Sequence, residues 1–164
     1  MKRCTTLLLF FFLSGWLYAQ DDVIRVLFYN TENLFDTIDA PGVSDQDYTP
    51  NGKLHHTAER YGLKLKHLAK VLDSSFNGDS PGLLGLCEVE NHTVLEDLRA
   101  TYGIPHHLAI VHFDSPDRRG IDNALMYDTL QFGLLHSGLR HIKLGGKSHP
   151  TRGILWAVLH ENRT

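Results

Sequence analysis

The chain has 164 residues and a formal charge of −3, with 16 lysines and arginines against 19 aspartates and glutamates. This length is sufficient for one domain with a sizeable apolar core. The acidic balance disfavours non-specific nucleic-acid binding, which needs a basic surface to neutralise phosphates. A phosphate ligand would therefore have to be held by a bound cation and a few local arginines.

The first 20 residues have the pattern of a secretory signal peptide. Two basic residues precede an unbroken apolar run from Leu7 to Leu13, and Ala19 is a small residue at a plausible cleavage point. The run is shorter than the roughly 20 residues of a membrane-spanning helix, although an uncleaved anchor is the alternative. We predict that residues 1–20 are removed, that residues 21–164 form the folded part, and that the protein is secreted or periplasmic, with no stable membrane span.

The next part of the sequence predicts a strand, a loop, a helix and a second strand. Residues 23–30 are rich in β-branched and aromatic side chains, which indicates a buried strand. Residues 37–56 contain many prolines, glycines and aspartates and predict a long irregular loop. Residues 57–73 follow a helical apolar period after the natural N-cap Thr57, with three lysines mostly on the other face. Residues 83–89 predict a short apolar strand.

The second half predicts one more helix and several strands. Thr93 and Glu96 have the spacing of a capping box at the start of that helix. Residues 115–120 form a turn-rich loop. The segments with strand character are residues 107–113, 121–128, 139–144 and 153–160. This order of elements predicts an α/β layered domain with a mixed sheet.

Glu88 is the strongest candidate for a functional residue. It ends the apolar run LLGLC, so its carboxylate comes at the carboxyl end of a strand with an apolar interior behind it. A charge there must reach solvent, a partner or a metal ion, and ligands of α/β sheets bind at this end of the strands. Oxygen ligands suit Mg²⁺ or Mn²⁺ better than zinc. The alternatives are that the carboxylate is simply solvated or that it caps the following helix.

Asn30 and Glu32 follow the first predicted strand and offer an amide and a carboxylate. Residues two apart share a face if the strand persists, so both side chains could point toward one centre. A polar turn is the alternative, and the spacing alone does not decide between the two.

Arginines near two strand ends are candidates for binding phosphate. Arg118 and Arg119 precede Asp122, and Arg152 comes just before the last predicted strand. A guanidinium fork matches two phosphate oxygens at once, and the aspartate could hold the arginine in place or assist a metal site. The alternatives are an exposed salt-bridged loop and a solvated charge beside a strand.

The order and residue patterns of three segments resemble those of the endonuclease/exonuclease/phosphatase superfamily, the metal-dependent hydrolases related to deoxyribonuclease I. The segments are VLFYNTENLFD (26–36), LLGLCEVEN (83–91) and SPDRRGIDNALMYD (115–128). The resemblance implies a deoxyribonuclease I-like layered sandwich with a mixed β-sheet, of which this chain would hold the first sheet and its helices. It also implies a hydrolase of phosphate esters, of phosphodiesterase or endonuclease type, that uses Mg²⁺ or Mn²⁺.

The resemblance implies a role for each candidate residue. Glu88 would be the principal metal ligand, with Glu32 near the metal. The catalytic residues would be Asn30 and Asp122, and the substrate phosphate would bind Arg119 and Arg152. Asn123 departs from the apolar residue that relatives carry after this aspartate.

Later motifs of the family, resembling N-H-W, G-D-F-N and S-D-H, do not occur before Thr164. These motifs supply the catalytic histidine and its partners, so we expect a truncated, inactive part of a longer hydrolase with an exposed apolar sheet face. A non-catalytic phosphate- or protein-binding module on the same fold is the alternative, and a structural α/β domain is a third. DNA, RNA, inositol phosphates and phospholipid head groups are all possible substrates of such a fold.

Overall fold

The structure, a computed structural model, describes residues 23–102, 107–148 and 150–162. The predicted signal peptide, residues 1–20, lies outside these ranges. Within them, no helix combines the length and the apolar character required to cross a membrane.

A four-stranded mixed sheet lies at the centre of the described structure, as the sequence predicts. Its spatial order is β1-β2-β4-β3; β1 runs parallel to β2, and β4 is antiparallel to both of its neighbours. The first predicted strand is longer than expected and continues through the Asn-Thr-Glu-Asn segment. The strands are β1 (Val26–Leu34), β2 (Leu83–Val89), β3 (Leu108–His112) and β4 (Asp122–Asp128).

Two helices, α1 (Ala58–Phe76) and α2 (His92–Tyr102), cover one face of this sheet. The predicted N-cap of α1 is confirmed, because Thr57 Oγ1 accepts a hydrogen bond from the Arg60 amide. The predicted capping box of α2 is wrong. Asn91 caps that helix instead, with its Oδ1 accepting from the Val94 amide at 3.0 Å. A polar side chain one residue before a helix satisfies an otherwise unpaired amide of the first turn.

The main core lies between the helices and the sheet. Leu65, Leu68 and Leu72 of α1 are buried, as their helical spacing predicts. They pack with alternate residues of the strands, among them Leu84, Leu86, Leu108, Ala124 and Met126. The face of the sheet that carries these strand residues is called the helix side below.

The other face, called the open side below, is partly covered by a second sheet. The strands β5 (Phe132–Arg140) and β8 (Ile154–Glu161) pair antiparallel, and β6 (Lys143–Leu144) pairs with β7 (Lys147–Ser148). The strand predicted at residues 139–144 is therefore divided between β5 and β6. Leu155 and Leu159 of β8 pack onto a small cluster centred on Tyr127 of β4. The chain thus forms a two-stranded layer in addition to the predicted first sheet and helices.

The two-stranded layer leaves part of the open side exposed. Val26 and Phe28 of β1 are 65% and 69% exposed. A cleft of about 650 Å³ lies between Phe28, Gly85 and the residues of β8. β8 also carries exposed apolar side chains on the face opposite to Leu155 and Leu159, at Ile154, Trp156 and Val158. The described structure therefore has an exposed apolar face, as the sequence suggests.

Two glycines on these strands lie under aromatic rings. A Cβ at Gly85 would lie 2.5 Å from the ring of Phe28, its partner in the β1–β2 register. A Cβ at Gly138 would lie 2.8 Å from the ring of its partner Trp156. Both glycines leave room for a ring to lie flat on the neighbouring strand, so these two aromatic residues help to hold the strands together.

Candidate functional site

The backbone at the ends of β1 and β2 is left-handed at three residues that are not glycine. The φ angles are +54° at Glu32, +62° at Asn33 and +63° at Glu88. Side chains disfavour this region because the Cβ approaches the backbone, at a cost of roughly 1–2 kcal/mol per residue. Strain of this kind collects at functional sites, where the surrounding structure enforces it. Three instances at two adjacent strand ends therefore point to this place as the functional centre.

The left-handed backbone redirects the side chain of Glu88. Regular alternation would place this side chain on the helix side, like Leu84 and Leu86. The register is instead interrupted between Cys87 and Val89. As a result, Glu88 Oε1 lies 3.7 Å from a guanidinium nitrogen of Arg152, a residue that comes just before β8. This distance makes an ion pair but is too long for a hydrogen bond.

Thr31 ties β1 to this irregular part of β2. Its Oγ1 lies 2.9 Å from the carbonyl oxygens of both Cys87 and Glu88 and can donate to either. Thr31 is buried. The hydroxyl therefore replaces the ladder hydrogen bonds that the bulge removes, and it keeps the Glu88 backbone in place.

Ionisable groups from three other segments respond to the charge of Glu88. Burial lowers the pKa of Lys64 on α1, and nearby carboxylates including Glu88 oppose this shift. Burial also raises the pKa of Tyr48 in the long loop, and Glu88 adds to that increase. A hydrogen bond to Asp117 raises the pKa of Arg119, with a further contribution from Glu88. The charge of Glu88 therefore acts on groups of helix α1, the long loop and the 115–120 loop.

Arg119 is held by Asp117. The Nε and Nη2 atoms of Arg119 donate to the two carboxylate oxygens of Asp117, each at 3.2 Å, and the Arg119 amide donates to Oδ1 at 3.0 Å. Burial tends to raise the pKa of Asp117, but its hydrogen bonds with Arg119 hold that pKa below its usual value. The Arg119 side chain is 53% exposed. Its remaining N–H groups are therefore available to a ligand.

Asp122 does not hold Arg119. It lies on the helix side, in line with Ala124 and Met126 of β4. Its Oδ1 accepts from the Ser115 amide at 2.8 Å, and its Oδ2 lies 3.2 Å from His112 Nε2. Asp122 therefore anchors the start of the 115–120 loop, and its carboxylate makes no hydrogen bond or ion pair with a described residue that also contacts Glu88. Its catalytic role stays a prediction.

Asn30 and Glu32 lie beside Glu88 at the strand ends. Asn30 pairs with Cys87 in the β1–β2 register, and its Oδ1 accepts from the Glu32 amide at 2.8 Å. The Asn30 Nδ2 atom makes no hydrogen bond to any residue that the structure describes. The carboxylate of Glu32 is exposed. Their roles toward a metal or a phosphate stay predictions, although both groups are free to contact a ligand.

Lys64 was not recognised from the sequence as part of this site. Its ammonium donates hydrogen bonds to the backbone oxygens of Glu32 and Asn33. Lys64 therefore binds the end of β1 and is not a purely solvated charge. Lys64 also lines a groove of about 320 Å³ between β1 and α1, together with Asn30 and Glu32. Helical spacing places a lysine on a face but not against another element, so the sequence held no signal for this contact. Asp117 was missed too, although an aspartate two residues before an arginine in a turn is a recognisable spacing.

A second carboxylate, Glu90, is buried beneath the long loop. Its Oε2 accepts from the Asp36 amide at 2.6 Å. Burial raises the pKa of Glu90 to about 7, with further increases from the charges of Asp36 and Asp45. The side-chain Nδ2 of Asn91 donates to Asp36 Oδ2 at 3.1 Å. Glu90 and Asn91 therefore shape the turn after β2 through their contacts with Asp36.

The carboxylate of Glu88 fits a hard cation. Its side chain is 17% exposed, and within the described ranges it accepts no hydrogen bond, so both oxygens remain available. The neighbouring carboxylate of Glu32 is the same kind of oxygen donor. A second set of possible metal ligands, formed by His112, Asp114 and Asp122, lies near the ends of β3 and β4.

One comparison with known proteins identifies the family. The family model described as "Endonuclease/Exonuclease/phosphatase family" matches residues 25–159. No curated protein matches the chain at a significant level. The matched range contains both left-handed strand ends, the loop with Arg119, and Arg152. The mixed sheet and its helices are also consistent with this family's fold. The chain therefore belongs to the endonuclease/exonuclease/phosphatase family.

Proposed function

We propose that this chain carries the cation- and phosphate-binding part of a divalent-metal-dependent hydrolase of phosphate esters, of phosphodiesterase or endonuclease type. Family membership indicates phosphoester hydrolysis. The proposal adds the metal dependence and the roles of individual residues. The observation that carries it is the left-handed Glu88, whose carboxylate is turned toward Arg152 at 3.7 Å.

Glu88 and Glu32 would hold the cation. Both come from strained backbone at adjacent strand ends, and their carboxylates are the hard oxygen ligands that Mg²⁺ and Mn²⁺ prefer. When bound, such a cation neutralises charge on a phosphate and polarises its oxygens. The ammonium of Lys64, anchored on backbone oxygens, limits the accumulation of negative charge at these strand ends.

Arg119 and Arg152 would bind the phosphate oxygens. Arg119 is oriented by its two hydrogen bonds to Asp117 and keeps free N–H groups for a ligand. Arg152 is already attracted to Glu88, so an anion there would lie between a cation and a guanidinium. Asn30 would donate from its free Nδ2 to the same anion. Asp122 would act indirectly, since its carboxylate anchors the loop that carries Arg119.

Binding without turnover is a second candidate function, and one observation favours it. Hydrolysis needs a group that activates water, most often a histidine held by a carboxylate. In the part of the chain that the structure describes, no histidine forms a hydrogen bond or an ion pair with Glu88. The buried pair of His112 and Asp122 lies on the helix side. We therefore expect this 164-residue chain to bind cation and phosphate but to hydrolyse phosphodiesters very slowly.

Titration with Mn²⁺, followed by electron paramagnetic resonance, tests the cation site. We expect one equivalent of bound Mn²⁺ to be lost in Glu88→Gln, which keeps the size of the side chain but removes its charge. Glu59→Gln, an exposed glutamate on α1, is the control and should bind Mn²⁺ like the parent chain. Unchanged binding of this equivalent in Glu88→Gln would refute the cation site.

Binding of inorganic phosphate in the presence of Mg²⁺ tests the arginines. Arg119→Lys should weaken phosphate binding, because a lysine cannot replace the fork that contacts two oxygens. Arg118→Lys is a matched control from the same loop and should bind as the parent chain does. Equal affinity in the two variants would exclude Arg119 from the site. Release of nitrophenol from a nitrophenyl phosphodiester distinguishes a hydrolase from a binding module.

We also propose that the protein acts outside the cytoplasm after removal of residues 1–20. The basic and apolar pattern of that segment supports this proposal. Sequencing the N-terminus of the protein recovered from a secreting host is the test, and a mature chain that still begins at Met1 would contradict it.

A further inference from the structure

Three side chains that make no direct contact with the proposed cation or phosphate converge near the end of β3 and the start of β4. His112 ends β3, Asp122 begins β4, and Asp114 lies in the connection between them. The possible ligand atoms of these three residues all lie within 4.8 Å of one another. His112 Nε2 and Asp122 Oδ2 are 3.2 Å apart, a separation that two ligands on adjacent positions of one metal ion adopt.

This group lies on the helix side, away from the side that carries Arg152. Asp122 alternates along β4 with Ala124 and Met126, which belong to the core beneath the helices. The intervening residue, Asn123, points to the open side and donates to the Gly153 carbonyl at 2.9 Å. The ring of His92 on α2 lies 6.3 Å from the ring of His112. The sheet therefore separates the group from Arg152 and from the carboxylate that Glu88 turns toward it.

The composition of this group leaves negative charge uncompensated. Oxygens of two carboxylates lie within 4.8 Å of a nitrogen of a single imidazole, and the His112 and Asp122 side chains are only 4% and 5% exposed. The carboxylate of Asp114 has no hydrogen bond or ion pair with any described residue. Asp114 is exposed, and one of its carboxylate oxygens lies within 4.8 Å of the possible ligand atoms of His112 and Asp122. A buried histidine and a buried aspartate, open toward an unpaired carboxylate, are suited to a bound cation.

We propose that His112, Asp114 and Asp122 form a second metal site, selective for a transition-metal ion such as Mn²⁺, Co²⁺ or Zn²⁺. An imidazole nitrogen among the ligands favours these ions over Mg²⁺, whereas the all-oxygen site at Glu88 suits Mg²⁺. His92 can supply a second imidazole, because its ring lies near that of His112 and its ion pair with Glu96 is exposed. The site joins the starts of α2 and β4 to the 115–120 loop. A bound ion would therefore stiffen the loop that presents Arg119.

Titration of the whole chain with Co²⁺ in excess Mg²⁺ tests this site. Co²⁺ bound to nitrogen and oxygen ligands absorbs visible light, and Mg²⁺ occupies the oxygen-only site. We expect one equivalent of coloured Co²⁺, with at least about tenfold weaker binding in Asp114→Asn. The Asp114 side chain makes no hydrogen bond or ion pair with any described residue, so this variant should fold like the parent chain. Asp73→Asn, an exposed aspartate on α1, is the matched control and should keep the full signal.

A second measurement separates this site from the one at Glu88. Co²⁺ should raise the melting temperature of the parent chain and of Glu88→Gln equally, and it should do so less in Asp114→Asn. His112→Gln should lose the coloured signal while circular dichroism reports that it is folded. If Asp114→Asn and the folded His112→Gln bind Co²⁺ as the parent does, the ion lies elsewhere and the proposal is wrong. A Co²⁺ signal that disappears only in Glu88→Gln would also overturn it.

Discussion

The carboxylate of Glu88 and the guanidinium of Arg152 lie 3.7 Å apart, although they belong to different layers of the protein. Glu88 lies in β2 of the four-stranded sheet, whereas Arg152 leads into β8 of the two-stranded layer. The contact exists because a left-handed residue interrupts β2 and turns its side chain toward the other layer. The proposed site therefore depends on backbone strain as well as on the identity of the residue.

Glycine at position 88 should give a more stable fold than alanine at the same position. Glu88→Gly removes the side chain from a residue with a φ of +63°, whereas Glu88→Ala keeps the strain. We expect the glycine variant to be more stable than the alanine variant by about 1 kcal/mol, as measured by urea unfolding. Both variants should lose the Mn²⁺ equivalent assigned to Glu88.

Asn77→Gly is a matched control for the backbone argument. Asn77 ends α1 with a φ of +52° and lies before the start of β2, whereas Glu88 lies near the end of that strand. Glycine should again stabilise the chain, by a smaller amount because asparagine tolerates this region, and Mn²⁺ binding should not change. If Glu88→Gly proved less stable than Glu88→Ala, strain at position 88 would not be the explanation.

The raised pKa of Glu90 should make the fold less stable as the pH rises toward neutrality. Burial raises its pKa from 4.5 to about 7 in the folded state. The carboxyl is neutral in both states below about pH 4.5, and between the two pKa values the unfolded chain loses its proton first. The contribution of Glu90 is therefore most favourable at low pH and is lost as the pH rises through 7.

Glu90→Gln isolates this effect, because glutamine keeps an acceptor for the Asp36 amide and cannot ionise. From about pH 5 to about pH 8, the free energy of unfolding of the variant should rise relative to that of the parent by roughly 2 kcal/mol. Urea unfolding across this range gives the difference, with Glu59→Gln as an exposed control. A constant difference between Glu90→Gln and the parent chain would show that Glu90 is not desolvated.

The hydroxyl of Tyr61 should stabilise the packing of the two helices. It donates to Asp97 Oδ2 at 2.8 Å and so joins α1 to α2. Tyr61→Phe removes only this oxygen and leaves a partly buried carboxylate without its donor, which should cost about 1–2 kcal/mol in thermal or urea unfolding. Tyr29→Phe is the control, because its hydroxyl makes no hydrogen bond to any residue in the described ranges. Equal stability of the two variants would contradict the assigned role.

The apolar face on the open side should bind an environment-sensitive dye. Val26 is 65% exposed and, unlike Phe28, does not cover a glycine. Val26→Ser should reduce dye fluorescence while leaving the free energy of unfolding within about 0.5 kcal/mol of the parent value. Absence of dye binding by a cooperatively folded parent chain would show that this face is covered in solution.

Local sequence patterns predicted most of the elements because each depended on contacts between near neighbours. The period of the leucines in α1 placed its buried face, and the apolar run before Glu88 placed β2 with the same bounds in the structure. The capping of α2 was predicted wrongly because two overlapping polar residues, Asn91 and Thr93, both suit a helix start. Only the geometry of the turn after β2 selected Asn91.

The sequence by itself determined the family, the mixed α/β architecture and the candidate functional residues at the strand ends, because apolar periodicity and sequence motifs are local properties. Only the tertiary structure decided which groups meet. It assigned Asp117 to Arg119, brought Lys64 to the end of β1, and turned Asp122 to the helix side beside His112. A single left-handed residue reverses the direction of a side chain. No residue-by-residue pattern records that reversal, since it depends on how the neighbouring strands constrain the backbone.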